Sequence, residues 1–154
     1  MFRLDDIDRA LLRLLQEDGR RSNVELAEGV GLSPSACLRR VRALEEAGVI
    51  ERYVALLDAD AVGRPTRVFV EISLDGQDEG KLDAFEAAVV THPAVRSCHL
   101  LAGNFDYLVE VAVAGVAEYE ALHRSHLAML PHVSSLRSSF ALRTITDRTA
   151  YELG

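Results

Sequence analysis

Three arginines stand within four positions, Arg39, Arg40 and Arg42, shortly after Ser33-Pro34-Ser35. Ser followed by Pro is a helix start, with Ser at the N-cap and Pro in the first turn. The arginines therefore fall on a helix, predicted over 34–47 and stopped at Gly48. Cys37, Leu38, Val41 and Leu44 mark its inward side, which leaves Ser35, Ala36, Arg39, Arg40, Arg42 and Ala43 outward. Arg39 and Arg42, at i and i+3, share a face. A guanidinium can bond a guanine edge or a phosphate through two parallel hydrogen bonds. Arg40 is expected as a flank or phosphate contact, and Ser33 and Ser35 sit at the positive helix end, where a phosphate is favoured. The same ridge could instead be the solvated face of a helical domain used for protein contacts.

Other chemistries find less support. His123 and His126 have the i, i+3 spacing that metal ligands can use, but no further Cys, Asp or His completes a set, so no metal site is expected. No nucleophile elbow, P-loop or dinucleotide fingerprint occurs, so the chain is read as a non-enzyme with no catalytic residues and no cofactor. Cys37 and Cys98 are too few for a disulfide framework and are read as reduced thiols in a cytoplasmic protein.

The elements that carry the arginines come first in the chain. Ile7, Leu11, Leu14 and Leu15 give one apolar face to a helix over 5–16. Ser22-Asn23-Val24-Glu25 is a capping box that opens a second, short helix through Val30. Gly31-Leu32-Ser33 turns the chain into the arginine helix. Val49 to Leu57 suits a short strand or wing. Three short helices with a tight turn before the third make a helix-turn-helix, which lays its third helix in the major groove of double-stranded DNA.

Asp58 to Thr66, broken by Gly63 and Pro65, reads as a linker. The expected domains are therefore residues 1–57, a linker over 58–66, and a second domain over 67–154. In the latter the period changes to two. A strand (68–74), a helix (81–91) ended by Pro93, a strand (95–102), a turn at Gly103-Asn104, a strand (107–113), a helix (116–130) ended by Pro131, and a last strand (133–145) follow in order. The halves echo each other, with Pro93-Ala94-Val95-Arg96-Ser97 matched by Pro131-His132-Val133-Ser134-Ser135. The fold class is α+β: a winged helix-turn-helix domain followed by a ferredoxin-like βαββαβ sandwich. Leu74, Leu100, Val109 and Leu142 are expected to leave an apolar sheet face that a second copy of the chain would cover.

The net charge of −7 opposes nucleic-acid binding only if taken whole. Residues 1–57 hold nine arginines against ten carboxylates, whereas residues 58–154 hold eight cations against fourteen. The acidity belongs to the second domain, and in the first the placement of the arginines decides. No apolar run reaches the roughly 20 residues of a membrane span, and the N-terminus lacks a signal core.

The run from Asn23-Val24-Glu25-Leu26-Ala27 through Gly31-Leu32-Ser33-Pro34-Ser35-Ala36-Cys37-Leu38-Arg39-Arg40-Val41-Arg42 to Ile50 resembles the DNA-binding head of the Lrp/AsnC (feast/famine) regulators. Val68-Phe69-Val70-Glu71-Ile72 and Cys98-His99-Leu100-Leu101-Ala102-Gly103-Asn104-Phe105-Asp106-Tyr107-Leu108 resemble that family's effector-sensing module, nearest its leucine-responsive branch. The resemblance runs from Leu4 to about Ile145. It implies a sequence-specific, nucleoid-associated transcriptional regulator that contacts promoter DNA through Asn23, Ser33, Ser35, Arg39, Arg40 and Arg42. It implies dimers assembled into a tetramer or octamer, and a small-molecule effector, an amino acid, bound between dimers against Gly103, Asn104, Phe105 and Asp106. Backbone N–H groups there can hold a carboxylate, and Asp106 could pair with an ammonium. Phe140, Ala141 and Leu142 are expected on the opposite wall. The family more often has an acidic residue where Asn104 stands. The loop could instead be a structural hairpin with an Asx-type cap at Asp106.

Two other classes remain open on the sequence. Some chains of this two-part architecture are haem-pathway decarboxylases, in which His99 or Arg96 would bind a polycarboxylate. A pure protein-interaction module is the other. Only a regulator should show steep salt dependence together with a sequence-specific remainder in DNA binding.

Overall fold

The computed structural model describes residues 3–153. The outermost positions of the two expected domains, 1, 2 and 154, lie outside the described residues. The chain divides into two compact units, one running to Leu56 and joined by the segment from Ile145 onward, the other Leu57–Thr144.

The first unit holds α1 (Asp6–Glu17), α2 (Asn23–Val30) and α3 (Pro34–Glu46). Each start is capped by a side chain. Ser22 and Glu25 form the expected reciprocal box on α2, and Ser33 accepts the Ala36 N–H on α3. The start of α1 is also a box: Asp5 accepts the Asp8 N–H at 2.8 Å, and Asp8 accepts the Asp5 N–H at 3.2 Å. Gly31 and Gly48 close α2 and α3 with φ of 69° and 70°, in the left-handed region that favours glycine. Behind Gly48, Val49 N–H returns to Leu44 C=O and Gly48 N–H to Glu45 C=O, the paired bonds of a Schellman ending. Leu11, Leu26, Ala27, Cys37 and Val41 form the core, with Ile7, Leu14, Leu15 and Ile50 packed around it. Leu38, expected inward, is exposed.

The expected strand over 49–57 is absent. That stretch is irregular, and among the described residues no strand pairs with it to complete a ladder. Tyr53 instead donates its hydroxyl proton to Glu45 at 3.0 Å, while Val54, Leu56 and Leu57 stay exposed. The final segment also departs from expectation, since residues from Ile145 onward group with the helices rather than with the sheet. The Gln16 side-chain amide grips the Tyr151 backbone in both directions, and Arg13 donates to the Leu153 C=O at 2.9 Å.

The second unit has the order β1 (Thr66–Leu74), α4 (Glu79–Val89), β2 (Val95–Leu100), β3 (Tyr107–Val113), α5 (Val116–Ser125), a 3₁₀ turn (Leu127–Met129) and β4 (Val133–Phe140). The antiparallel sheet runs β2-β3-β1-β4, the ferredoxin-like arrangement. The last helix breaks earlier than the sequence pattern suggested. Its final turn tightens into the 3₁₀ turn, and Leu130, which precedes Pro131, is extended as pre-proline sterics require.

One sheet face is buried under the helices. Val68, Val70 and Ile72 of β1, opposite Val111, Val109 and Tyr107 of β3, meet Phe85, Val89, Tyr119 and Leu122. The expectation that Leu74 and Val109 belong to an uncovered apolar face is therefore wrong: both lie in this core. Period-two alternation tells which residues share a face but not which face the helices cover. The open face carries Phe69 and Leu108 among Glu71, Arg137 and the Arg67–Glu110 ion pair at 2.8 Å. Leu142 leaves the sheet and is 97% exposed.

Candidate nucleic-acid interface and ligand loop

Ser35, Arg39 and Arg42 fall at i, i+4 and i+7 of α3, one stripe along the helix, and all three are exposed. Among the described residues neither Arg39 nor Arg42 makes a hydrogen bond or ion pair, so both guanidinium forks are free to take an external acceptor. Ser33 is committed to its cap and lies 3.2 Å from the Ser35 hydroxyl. The positive start of α3, where the Ser35 N–H has no partner among the described residues, therefore presents Ser35 ahead of the two arginines.

Arg40 differs from its neighbours. It lies on the side of α3 that faces α1, and its Nη1 bonds Asp5 Oδ2 and Asp8 Oδ1, each at 2.8 Å. The Asp8 side chain is only 7% exposed. The Asp8 N–H and then the Arg40 guanidinium hold the Asp5 carboxyl below its usual range, and the two carboxylates raise the Arg40 guanidinium in turn. Arg40, expected as a phosphate contact, is thus a brace between α1 and α3. Asn23 has a structural task too: its Nδ2 donates to the Pro34 C=O at 2.7 Å, tying the start of α2 to the start of α3. Its Oδ1 is buried without a hydrogen-bond partner among the described residues. The Asp5-x-x-Asp8 spacing is a sequence signal for the α1 box, but aspartates at these positions suit the positive end of a helix equally well.

In the second unit, residues 101–106 form a longer loop between β2 and β3 rather than a tight turn at Gly103-Asn104. Gly103 and Asn104 are exposed and Phe105 is half-buried. Ala102 to Phe105 make no hydrogen bond among the described residues, which leaves a short run of free N–H groups. Asp106 is turned inward and is 8% exposed. Its carboxylate accepts the Leu74 N–H at 2.7 Å and a Gln77 Nε2–H. The expectation that this carboxylate meets a ligand ammonium is not supported by the geometry, because the group is buried and each of its oxygens already accepts a hydrogen bond inside the fold.

Phe140, Ala141 and Leu142 do not join this loop within one chain. Phe140 pairs with Val68, and the Ala141 N–H bonds the Arg67 C=O, whereas Tyr107, next to the loop, pairs with Ile72. The two groups sit at opposite ends of the strands and toward opposite edges of the sheet, on the order of 15–20 Å apart. Phe140 packs edge-on against Tyr119. The two helix histidines also separate, His126 stacking on His92 and His123 leaning on Tyr119. Burial first, then Glu86, pushes the Cys98 thiol up to about 11, which leaves it protonated and unreactive at neutral pH.

Comparison with known proteins agrees with both halves. Residues 67–151 match the family model described as the Lrp/AsnC ligand binding domain, and residues 4–51 match the one described as winged helix-turn-helix DNA-binding. The leucine-responsive regulatory protein of Rhizobium meliloti is 40% identical over 150 residues, covering 97% of this chain and 96% of that one. The Bkd operon transcriptional regulator of Pseudomonas aeruginosa is 41% identical over 150 residues, covering 97% and 98%. Among solved structures, a Neisseria meningitidis transcriptional regulator in complex with L-methionine superposes with a TM-score of 0.92 at 36% identity, covering 97% of each chain. Among the described residues no helix is long and apolar enough to cross a membrane.

Proposed function

The chain belongs to the Lrp/AsnC family of DNA-binding transcriptional regulators with a ligand-binding domain, and from that premise we propose how its own residues divide the work. Ser35, Arg39 and Arg42 contact DNA from α3, with Arg39 and Arg42 as base or phosphate readers and Ser35 as a phosphate contact. The observation that carries this assignment is the contrast on a single helix: Arg40 is consumed by Asp5 and Asp8, while Arg39 and Arg42 have no partner among the described residues. Asn23 and Ser33 support the reading by fixing the start of the helix rather than by touching DNA.

The effector is a free amino acid whose carboxylate seats on the N–H groups of the Gly103–Phe105 loop. The free backbone of that loop supports this, as does the methionine complex of the Neisseria meningitidis relative. Any contribution from Phe140, Ala141 or Leu142 comes from a second copy, given their distance from the loop in one chain. Copies assemble through the open sheet face, where Phe69 and Leu108 lie among charges of both signs, and the regulator works in the cytoplasm on nucleoid DNA.

The test is gel mobility on the DNA upstream of the protein's own gene, at graded salt, with and without L-methionine. The wild type should show a sequence-specific remainder above a steep salt dependence, and the Arg39→Ala/Arg42→Ala double variant should lose it. Equal specific binding by that double variant would remove α3 as the reading helix.

A further inference from the structure

The ligand loop has almost no internal scaffold, so something outside it must hold its shape. Its mouth is closed by the Leu101 N–H on the Asp106 C=O at 2.8 Å, and the Asp106 N–H bonds the Ile72 C=O at 2.9 Å. The Asp106 carboxylate then fastens the loop to the end of β1 through the Leu74 N–H. Its other oxygen accepts a hydrogen bond from the Gln77 side-chain N–H; Gln77 is an exposed residue on the connection between β1 and α4.

That connection is itself anchored on both sides of Gln77. The Asp75 N–H bonds the His132 C=O at 2.8 Å. Lys81 Nζ pairs with Asp75 at 3.1 Å and reaches Asp78 at 3.6 Å, and Asp78 caps α4. Gln77 thus presents its amide from a fixed seat. A neutral donor suits the position: an acidic residue would repel the buried carboxylate, and an apolar one would leave one of its oxygens unsatisfied.

We infer that Gln77 is a positioning residue for the effector loop: by donating to Asp106 it holds the Gly103–Phe105 backbone in the shape that accepts the amino-acid carboxylate. This rests on the reading of that loop as the effector site, and the experiment separates the two. Gln77 acts through Asp106 and not by contact with the ligand.

Two variants of the full-length protein test it, Gln77→Leu and Gln77→Glu, by amide hydrogen exchange and by calorimetry with L-methionine. In Gln77→Leu, protection at the Leu74, Leu101 and Asp106 amides should fall about tenfold or more, the worth of one hydrogen bond to a charged group, while Val109 and Val111 in the same sheet keep theirs. Methionine affinity should fall by a similar factor. In Gln77→Glu both losses should appear near neutral pH and lessen as the pH is lowered, because the introduced carboxyl, once protonated, restores the donor. Gln77→Leu should show no such recovery. Unchanged protection in Gln77→Leu overturns the inference, and so does a flat pH profile in Gln77→Glu. If the wild type binds no methionine, the effector reading fails for that ligand, and the exchange data still decide whether Gln77 holds the loop.

Discussion

Replacing Arg40 by Met separates a brace from a DNA contact. The substitution keeps the aliphatic stem but removes the guanidinium that bonds Asp5 and Asp8. Asp8 is the partner that matters for stability, because its side chain is 7% exposed against 32% for Arg40. Its Oδ2 would still accept the Asp5 N–H, but Oδ1 would face the α1–α3 contact with no donor. A fully exposed pair is worth up to about 1 kcal/mol, and breaking a fully buried one costs about 3–5 kcal/mol. A pair with one buried and one partly screened member should lie between them, at about 2 kcal/mol. For a helical unit of this size that lowers Tm by roughly 8–16 °C, read by circular dichroism of the full chain. Adding Asp8→Asn to Arg40→Met should recover part of the loss, since the orphaned group is then neutral. Well below the transition, the salt slope of DNA binding should match wild type, whereas Arg39→Ala and Arg42→Ala should each change it by about one unit if they hold phosphate. An Arg40→Met protein with unchanged Tm and uniformly weakened DNA binding would refute this reasoning and restore Arg40 as a phosphate contact.

Three other outcomes are expected. His92 Nδ1 accepts the Ala94 N–H at 3.1 Å, and burial, then His126, holds the imidazole below its usual range despite the opposing pull of Glu118. The folded ring binds its proton less readily than the unfolded one, so this contribution is complete above about pH 6.5 and is lost as pH falls below it; His92→Asn should flatten that part of a stability-against-pH curve measured by urea unfolding. Gly31→Ala should cost about 1 kcal/mol in the same assay, because φ is 69° with open space at the Cβ position, and Gly31→Asn should cost less; equal costs would show that the left-handed backbone is not what glycine supplies. Deleting residues 149–154 removes the backbone gripped by Gln16 and Arg13, and should raise hydrogen exchange in α1 without altering the β1 amides, which mass spectrometry resolves.

Much of the architecture was legible because the signals that make it are local. Ser22 with Glu25, Ser33 before Pro34, and the closing glycines at 31 and 48 satisfy or release backbone groups within a few residues, so their meaning does not depend on the rest of the chain. The βαββαβ order followed from the change of period at Arg67 and from the prolines that end both helices, and the shared face of Arg39 and Arg42 followed from helix geometry alone. What the tertiary structure decided were the partners of charged groups. Arg40 and Asp8 are 32 residues apart, as are Asp106 and Leu74, and a carboxylate written in one dimension reads equally as a dipole charge, a ligand anchor or a buried cap. The placement of Phe140 and Gly103 at opposite corners depends on strand register, which local pattern does not encode across a crossover connection. Hydrophobic periodicity is repeated at every turn of a helix or strand, whereas a hydrogen bond between distant residues occurs once, and only folding brings its two ends together.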